Sequence, residues 1–468
     1  MFERKKYYLH RTKKKILYMR PFALKKLSPI IVFLLLLPIL SISITSGGFH
    51  FPNVHAYIPV LRFAQDNGNP TIANAGLKAE VVAQGLELPT RMAFLGPNDI
   101  LVLEKEKGTV QRIVDGQVSQ QPLLDVSVAT QIERCMCGIA ISKSEPGSIY
   151  VFLYYTEAEG QDGGIPIGNR LYRYELVNNQ LVNPKLLLDL PATPGPRHNG
   201  GAIVIGPDKN LYVPIGDVDG HQTQAQNFKN RGPPDGTGGI LRITQDGNPV
   251  GNDIIGSTSA LKLYYAYGIR NSFGIDFDPV TGNLWDTENG PGFGDEINLV
   301  KPGFNSGWSK YQGIWIRAGG TDEGSNEGPG LAPLQPDNLV VFDGKGVYRP
   351  PEFVWNHTVG PTAIKFFNSD KFGAQYRNEM FVGDVHKGNI YHFSLNQGRD
   401  HLILEGSLAA DKVAYTDEDL KDITFATGFG GITDLEVGPD GYLYVVSIGQ
   451  GKIFRIVPEV GGGGSSKN

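Results

Sequence analysis

The amino-acid sequence predicts an all-β fold, a six-bladed β-propeller with long loops on one face. A pattern of turn, strand and second strand recurs six times, as expected for blades that bury their faces against one another. Gly and Pro are abundant, with 60 and 31 of 468 residues, which suits tight turns between short strands. The segments 218–238 and 317–350 are rich in Gly, Pro, Asn and Asp. They exceed what connections require, so we expect them to shape one face of the ring.

The repeated pattern contains turn residues, a strand of the type Leu-Tyr-Val and a following strand that often ends in Arg-Ile. Such strands alternate apolar and polar residues and cannot bury both faces alone. A jelly roll would not repeat one pattern, and a solenoid would repeat at a shorter, stricter period. Residues 77–95 are expected to begin the ring and to help close it. The six copies span 96–113, 148–174, 206–243, 278–299, 368–391 and 438–456.

Residues 1–56 are predicted to be a basic segment followed by a signal peptide or a membrane anchor. The first 28 residues contain ten Lys and Arg against one Glu, and a largely apolar run without charges covers 29–44. This run is shorter than the ~20 residues of a comfortable membrane span, and 54–56 offer a small-residue cleavage site. A cleaved signal and an uncleaved anchor both stay open. The protein is therefore expected to be extracytoplasmic, either secreted or anchored to the outer face of the cell membrane.

The remaining organisation is a linker over 57–76, the propeller over 77–458 and a disordered Gly/Ser tail over 459–468. The whole chain has a net charge of −5 although its first segment is strongly basic, so the rest of the chain is acidic. Nucleic-acid-binding domains present a basic surface instead. The sequence therefore predicts no nucleic-acid partner.

The chain has only two cysteines, Cys135 and Cys137, which excludes a disulfide framework. Separated by one residue, they could form a local disulfide or supply half of a metal site. No second Cys/His cluster completes a zinc set. We therefore favour the interpretation of two small, free, buried residues on a strand.

His198 is the strongest candidate for chemistry among the individual residues. It lies in Pro-Gly-Pro-Arg-His-Asn-Gly-Gly at 194–201, where the chain cannot be helical and the glycines allow close approach to a ligand. An imidazole that titrates near neutral pH suits a general base. The alternative is a structural histidine bonded to a loop carbonyl.

Two further motifs contain charged and polar residues that could bind a ligand or a metal. Arg270 and Asn271 lie in Tyr-Gly-Ile-Arg-Asn, and Glu-Asn-Gly-Pro occupies 288–291. A permanently charged guanidinium can stabilise negative charge that develops in a reaction, and backbone carbonyls are suitable calcium ligands. The alternatives are an arginine that holds loops through backbone carbonyls and a rigid Gly-Pro turn without a metal.

Together these motifs resemble the pyrroloquinoline quinone (PQQ)-dependent soluble aldose/glucose dehydrogenases, the glucose/sorbosone dehydrogenase family. The resemblance implies that His198 removes the anomeric hydroxyl proton of an aldose while hydride passes to PQQ, and that Asp217 orients His198. It implies that Arg270 stabilises the reduced quinone oxygen and that the carbonyls of Gly290 and Pro291 bind Ca²⁺. It places further cofactor contacts at Asn271, Asn289, His386 and Lys387.

The sequence departs from that family around the expected cofactor. The family's Arg-x-Arg-Asp, which grips the PQQ carboxylates, is Gly-Ile-Thr-Asp at 431–434 here. His386 and Lys387 stand where the family has Lys-Arg, Glu133 replaces a Gln, and Ala202 replaces an Arg. Charge-assisted hydrogen bonds are about twice as strong as neutral ones. These changes therefore predict weaker PQQ binding.

The function that the sequence predicts is an exported sugar dehydrogenase with PQQ and Ca²⁺ as cofactors. Its partners would be a small-molecule sugar and an external electron acceptor. One alternative is a cofactor-less, Ca²⁺-stabilised propeller that binds carbohydrate or a surface partner, which the lost arginines favour. The other is a lactonase-type hydrolase, which is weakened because the acidic and Asn residues do not form a set converging on the ring axis.

Overall fold

The computed structural model describes residues 68–144, 147–251, 253–317 and 330–459. In these ranges the chain consists of short strands with very little helix, which confirms the all-β class. The strands alternate apolar and polar residues, and glycine or proline punctuates the turns between them. The helical elements are α1 (Leu408–Asp411) and 3-10 turns at Gln224–Gln226, Leu261–Leu263, Ala374–Tyr376 and Lys421–Ile423.

Several predicted segments lie outside the described residues: all of 1–56, the first part of the linker and the tail from 460 onward. The last part of the predicted linker is not a free connection. Its strand β1 (Thr71–Ile72) pairs antiparallel with residues 426–427, and the predicted domain bounds stay a prediction. Across the described ranges, the structure contains no helix that is both long and apolar enough to span a membrane.

The first half of the described chain forms three sheets, named sheets I to III here. After β1 comes β2 (Leu77–Gln84). Sheet I then contains β3 (Pro89–Gly96), β4 (Asp99–Glu104), β5 (Thr109–Val114), β6 (Gln117–Val118) and β7 (Leu124–Asp125). Sheet II contains β8 (Met136–Ser144), β9 (Ser148–Ala158), β10 (Pro166–Val177) and β11 (Gln180–Leu190). Sheet III begins with β12 (Val204–Ile205), β13 (Leu211–Ile215), β14 (Gly239–Ile243) and β15 (Tyr264–Tyr267).

The second half forms sheets IV to VI. Sheet IV begins with β16 (Ser272–Phe277), β17 (Leu284–Glu288) and β18 (Asp295–Val300). Next come β19 (Phe304–Asn305), β20 (Tyr311–Gln312), β21 (Trp315–Ile316), β22 (Val347–Tyr348) and β23 (Phe353–Trp355). Sheet V contains β24 (Pro361–Phe367), β25 (Glu379–Asp384), β26 (Ile390–Leu395), β27 (Leu402–Ile403), β29 (Thr424–Thr427) and β1, while β28 (Val413–Ala414) joins sheet IV. Sheet VI contains β30 (Ile432–Val437), β31 (Leu443–Ser447), β32 (Lys452–Pro458) and β2.

Further pairings complete the sheets and connect the ends of the described chain. Strands β19 and β22 extend sheet III, β23 extends sheet IV, and β20 pairs with β21. In sheet VI, β2 pairs antiparallel with β32, so Leu77 lies opposite Pro458. The sheets form a propeller-like arrangement in which five blades are recognisable. The predicted count of six blades stays a prediction.

The core lies between neighbouring sheets, because each sheet buries its apolar faces only against the next one. Around the centre, the first strands meet: β30 contacts β3 and β24, β3 contacts β8, and β16 contacts β24. The contact between sheets I and VI is made by a cluster that includes Ile100, Val102, Val446 and Ile453. Sheets III and IV meet through a cluster that includes Tyr212, Ile240, Ile275 and Leu284. These clusters fix the positions of the polar residues at the strand ends.

Candidate active site

His198 lies in the loop between β11 and β12, with its backbone in the left-handed region at φ 60°. Its Nδ1 is 2.5 Å from Oδ1 of Asp217, which follows β13, and both side chains are almost fully buried. Gly216 permits this approach, because a Cβ there would lie 2.8 Å from Cβ of His198 and 2.2 Å from the carbonyl oxygen of Arg270. The structure therefore brings the first two predicted catalytic residues together.

Trp308 completes a buried group with these two residues, which we call the His198–Asp217–Trp308 group. Its Nε1 donates to Oδ2 of Asp217 at 2.8 Å. Burial alone would raise the pKa of Asp217, but contact with His198, the charge of Arg270 and the Trp308 hydrogen bond together lower that pKa. An ionised Asp217 accepts the Nδ1–H of His198, which leaves Nε2 as the basic nitrogen of the imidazole.

Arg270 lies beside this group and holds a neighbouring loop. Its guanidinium carbon is 5.3 Å from the ring centre of Trp308. Its Nη1 donates to the carbonyl oxygens of Asn289 at 2.7 Å and Gly290 at 3.1 Å, and its backbone N donates to Glu288 at 2.6 Å. Arg270 thus makes the loop contacts that were the alternative to a catalytic role, and it places a permanent positive charge next to His198 and Asp217.

Glu133 connects His198 with the predicted cofactor contacts. Its Oε2 accepts hydrogen bonds from the backbone N of His198 at 2.6 Å and from Nδ2 of Asn271 at 3.2 Å. The carbonyl oxygen of Asn271 in turn accepts from the backbone N of Asn289 at 2.8 Å. The carboxylate that stands at the family's Gln position is therefore part of the hydrogen-bond network around His198.

A cavity of about 150 Å³ opens next to this network. Glu133 and Asn289 line it, whereas His198 does not, and His198 is connected to the cavity wall by the hydrogen bond from its backbone N to Glu133. The side-chain oxygen of Asn289 is buried without a hydrogen-bond partner among the described residues, which makes this amide available to a ligand. The lining also includes Thr90, Arg91, Lys105, Cys135, Cys137, Phe273, Thr362, Val385, His386 and Thr433.

Only one of the two predicted cofactor contacts after β25 lines the cavity. His386 does so, with its Nδ1 3.5 Å from the carbonyl oxygen of Thr358. Lys387 lies at the exposed surface, where its Nζ is 2.5 Å from Oδ1 of Asp417. The reason is a turn in which the Asp384 carboxylate accepts the backbone N–H of Lys387 at 2.6 Å. The predicted contact of Lys387 with the cofactor stays a prediction, and in this structure its ammonium is paired with Asp417.

The predicted metal corner at Gly290 and Pro291 is held by protein contacts. The carbonyl oxygen of Gly290 accepts from Arg270, and its backbone N donates to Oδ1 of Asp295 at 2.8 Å. A calcium ion at that carbonyl would stand beside the Arg270 guanidinium, and like charges at such distances repel. The corner as placed therefore does not fit calcium. Nor do the His, Cys, Asp and Glu residues of the described ranges form a group of three or more arranged to hold a metal.

Three carboxyl groups are buried on one face of β17 and β18. Asp286 and Glu288 lie on β17, and Glu296 on β18 is opposite Glu288. Burial raises the pKa of Asp286 to about 7, and burial together with the charge of Asp286 raises the pKa of Glu288 to about 8. Ser272 and Asn298 partly oppose the shift at Asp286, although neither of its oxygens has a well-formed hydrogen bond among the described residues. These groups therefore favour their protonated forms up to neutral pH.

Cys135 and Cys137 form a disulfide, which corrects the prediction of two free cysteines. Their burial was predicted correctly. Their Cα atoms are 5.1 Å apart, within the range that a disulfide bridges. A regular strand would separate such residues by about 6.6 Å. The irregular register between Met136 and Gly138, where β8 pairs with β9, accounts for the shorter separation.

Two residues at the site were not identified from the sequence. Trp308 binds Asp217, and Arg91 binds Asp434 within 431–434, the segment that lacks the family's arginines. The available signals were a tryptophan after Asn-Ser-Gly and an arginine among the apolar residues of β3. Ala202, the other lost arginine position, is buried in the apolar cluster between sheets III and IV.

Comparisons with known proteins agree with this architecture. The family model for glucose/sorbosone dehydrogenase matches residues 86–455. Aldose sugar dehydrogenase YliI of Escherichia coli K12 is 25% identical over 395 residues, which cover 82% of this chain and 94% of that protein. A solved glucose dehydrogenase-type oxidoreductase of Thermus thermophilus is 28% identical, with a TM-score of 0.60 and coverage of 82% of this chain and 100% of that one. The PQQ-bound aldose sugar dehydrogenase of Streptomyces coelicolor shares the fold at 22% identity, a TM-score of 0.57 and coverage of 82% and 98%.

Proposed function

The chain belongs to the glucose/sorbosone dehydrogenase family, and from this premise we propose that it oxidises the anomeric carbon of an aldose by hydride transfer to PQQ. The observation that carries the proposal is the His198–Asp217–Trp308 group with Arg270 beside it. A buried imidazole held by an ionised carboxylate is the arrangement that proton abstraction from a hydroxyl requires.

In this proposal Nε2 of His198 takes the proton of the anomeric hydroxyl. Asp217 fixes the tautomer of His198 through Nδ1 and stabilises the imidazolium that forms. Trp308 binds the second oxygen of Asp217 and so prevents rotation of the carboxylate. Arg270 would supply a permanent positive charge that stabilises negative charge on the bound cofactor. The sugar approaches past Glu133, whose carboxylate accepts hydrogen bonds from sugar hydroxyls.

The cavity supports PQQ as the ligand. When bound, PQQ supplies the carbonyl that accepts hydride. Phe273 gives the cavity an aromatic wall, the Asn289 amide lacks a partner among the described residues, and the cations Arg91 and Lys105 suit carboxylates. The negative charge of Glu133 opposes them. No step is assigned to calcium, because Arg270 would first have to leave Gly290 for a metal to bind there.

The remaining features of the proposal rest on the sequence. We infer an exported protein, secreted or anchored to the outer face of the membrane, that passes electrons to an external acceptor. We also infer six blades, because sheets I to VI follow one another along the chain and β2 completes the last of them.

A second candidate is a propeller without a cofactor that binds carbohydrate or a surface partner. It is favoured by one observation, the carboxylate of Glu133 on the cavity wall where a trianionic ligand is expected. In that case the His198–Asp217–Trp308 group would be structural, and sugar would bind without being oxidised.

The test is dye reduction by the purified protein with PQQ and a panel of aldoses, compared with His198→Gln. The proposal expects reduction that requires both PQQ and an aldose and that the variant abolishes while it still binds PQQ in calorimetry. Bound PQQ without oxidation of any aldose, or equal activity of the variant, would refute it. Sugar binding without PQQ binding would instead support the second candidate.

A further inference from the structure

Arg91 makes hydrogen bonds to three other sheets. It lies on β3, the first strand of sheet I, and its Nη1 donates to Oδ1 of Asp434 on β30 at 2.8 Å. Its Nη2 donates to the carbonyl oxygen of Phe273 on β16 and, at 3.0 Å, to that of Thr362 on β24. Four of the strands around the centre therefore converge on one guanidinium.

These contacts do not use all the donors of Arg91. A guanidinium has five N–H groups, and among the described residues three of them have hydrogen-bond partners. Arg91 also lines the cavity, and its side chain is 14% exposed. Two N–H groups are thus left for a ligand in the cavity, in a side chain whose position three acceptors already fix.

Lys105 adds a second positive charge to the same cavity. Its Nζ is 3.3 Å from the carbonyl oxygen of Thr130, 3.2 Å from that of Arg134 and 3.4 Å from the exposed carboxylate of Glu106. The two carbonyl contacts hold the ammonium in place, and the ion pair with Glu106, whose carboxylate is about half exposed, offsets part of its charge. Lys105 therefore contributes mainly through its electrostatic field.

Arg91 supplies the positive charge that the segment 431–434 lacks. That segment keeps an acid, Asp434, but carries no arginine, and Asp434 is paired with Arg91 on the neighbouring sheet I. The positive charge missing from β30 is thus present at the same cavity, supplied by β3.

We propose that Arg91, with Lys105, binds the carboxylates of a planar aromatic polycarboxylate in this cavity, an inference that rests on the proposed function in naming PQQ as that ligand. Arg91 provides the directed hydrogen bonds, and Lys105 provides additional charge. Asp434 orients the Arg91 guanidinium towards the cavity.

The experiment measures binding of PQQ and of benzene-1,2,4-tricarboxylate, which has no quinone, by calorimetry at low and high salt. Arg91→Gln should weaken both ligands at least tenfold, and Arg91→Lys should weaken them less because the charge remains. The matched control is Arg399→Gln. Arg399 also pairs with a buried aspartate, Asp278, and is 12% exposed, but it does not line the cavity. This control should lower the melting temperature and leave both affinities unchanged.

Lys105→Met keeps the inference testable if Arg91→Gln does not fold, since it should weaken both ligands severalfold and reduce the salt dependence of binding. Unchanged affinities in folded Arg91→Gln or Lys105→Met, or no binding of either ligand by the wild type, would overturn the inference. Arg91-dependent PQQ binding without oxidation of any aldose would uphold it and refute the proposed function. Aldose oxidation by a protein whose PQQ binding does not depend on Arg91 would uphold the proposed function and overturn the inference.

Discussion

The two groups on either side of Glu133 are built in different ways; they are called the His198 end and the Arg91 end here, and only the Arg91 end lines the cavity. At the His198 end, the base and its acid Asp217 are 19 residues apart and belong to one sheet and the loop before it. At the Arg91 end, the cation and its acid Asp434 are 343 residues apart, on the first and last sheets. Because the innermost strands converge, a charge at the centre can come from any sheet, whereas His198 is oriented by an acid that follows a strand of the next sheet in the chain.

The largest expected effect comes from breaking the His198 end alone. His198→Gln should lower kcat by about 10²- to 10⁴-fold, the usual contribution of a general base. PQQ affinity should not change, because His198 does not line the cavity. The measurement is steady-state dye reduction with PQQ. The control is His401→Gln, a histidine paired with Glu352 at the surface, which should leave kcat unchanged.

Breaking the Arg91 end should reduce stability. Asp434→Asn leaves a largely buried guanidinium without its charge partner, which costs about 3 kcal/mol or more. Urea unfolding measures the change. Asp440→Asn removes an acid from the more exposed pair with Arg455 and should cost less than about 1 kcal/mol. Equal losses in the two variants would show that the Arg91 pair behaves as a surface pair.

The three buried carboxyl groups of β17 and β18, Asp286, Glu288 and Glu296, should make the stability of the protein depend on pH. The folded-state pKa of Asp286, about 7, exceeds its ordinary value of 3.8, so its contribution is present below pH 4 and is lost as pH rises towards 7. The full loss is on the order of 4 kcal/mol. Asp286→Asn should remove this loss and make the fall of the unfolding free energy between pH 4.5 and pH 7.5 shallower, leaving the part that Glu288 and Glu296 cause through their own raised pKa values. An unchanged pH profile would show that Asp286 is ionised in the folded protein.

Trp308→Phe should lower the activity that depends on His198 without abolishing it. The variant keeps a ring beside Arg270 but removes the hydrogen bond that lowers the pKa of Asp217. The pKa of Asp217 should rise, so the acidic limb of the pH–kcat profile should move to higher pH. The value of kcat should fall by about tenfold, which corresponds to the loss of one hydrogen bond to a charged group. The control is Trp315→Phe, which lies outside the group. A profile identical to the wild type would remove Trp308 from the mechanism.

The smallest effect should come from Glu133, which lies between the two ends. Glu133→Gln removes a negative charge from the cavity but keeps an acceptor for the backbone N of His198. PQQ should bind a few times more tightly, equivalent to about 1 kcal/mol or less. Calorimetry checks this, with the exposed Glu87→Gln as control. Weaker PQQ binding would contradict the electrostatic role assigned to Glu133.

The features that were predictable lie in continuous segments. The strand repeats gave the all-β class, and the motifs around His198 and Arg270 gave residues that the structure places side by side. The Arg91–Asp434 pair was not predictable, because no local pattern connects two strands so far apart in the chain. The disulfide and the ion pair of Lys387 with Asp417 were not predictable for a different reason. They depend on a register irregularity in β8 and on a turn capped by Asp384.

The most direct test of the central claim is the absorbance spectrum of the PQQ-loaded protein after anaerobic addition of an aldose. If His198 and Arg270 serve aldose oxidation at this cavity, the spectrum of bound PQQ should change to that of its reduced form in one turnover, and His198→Gln should slow this change at least a hundredfold. A spectrum of bound PQQ that no aldose alters would contradict the account.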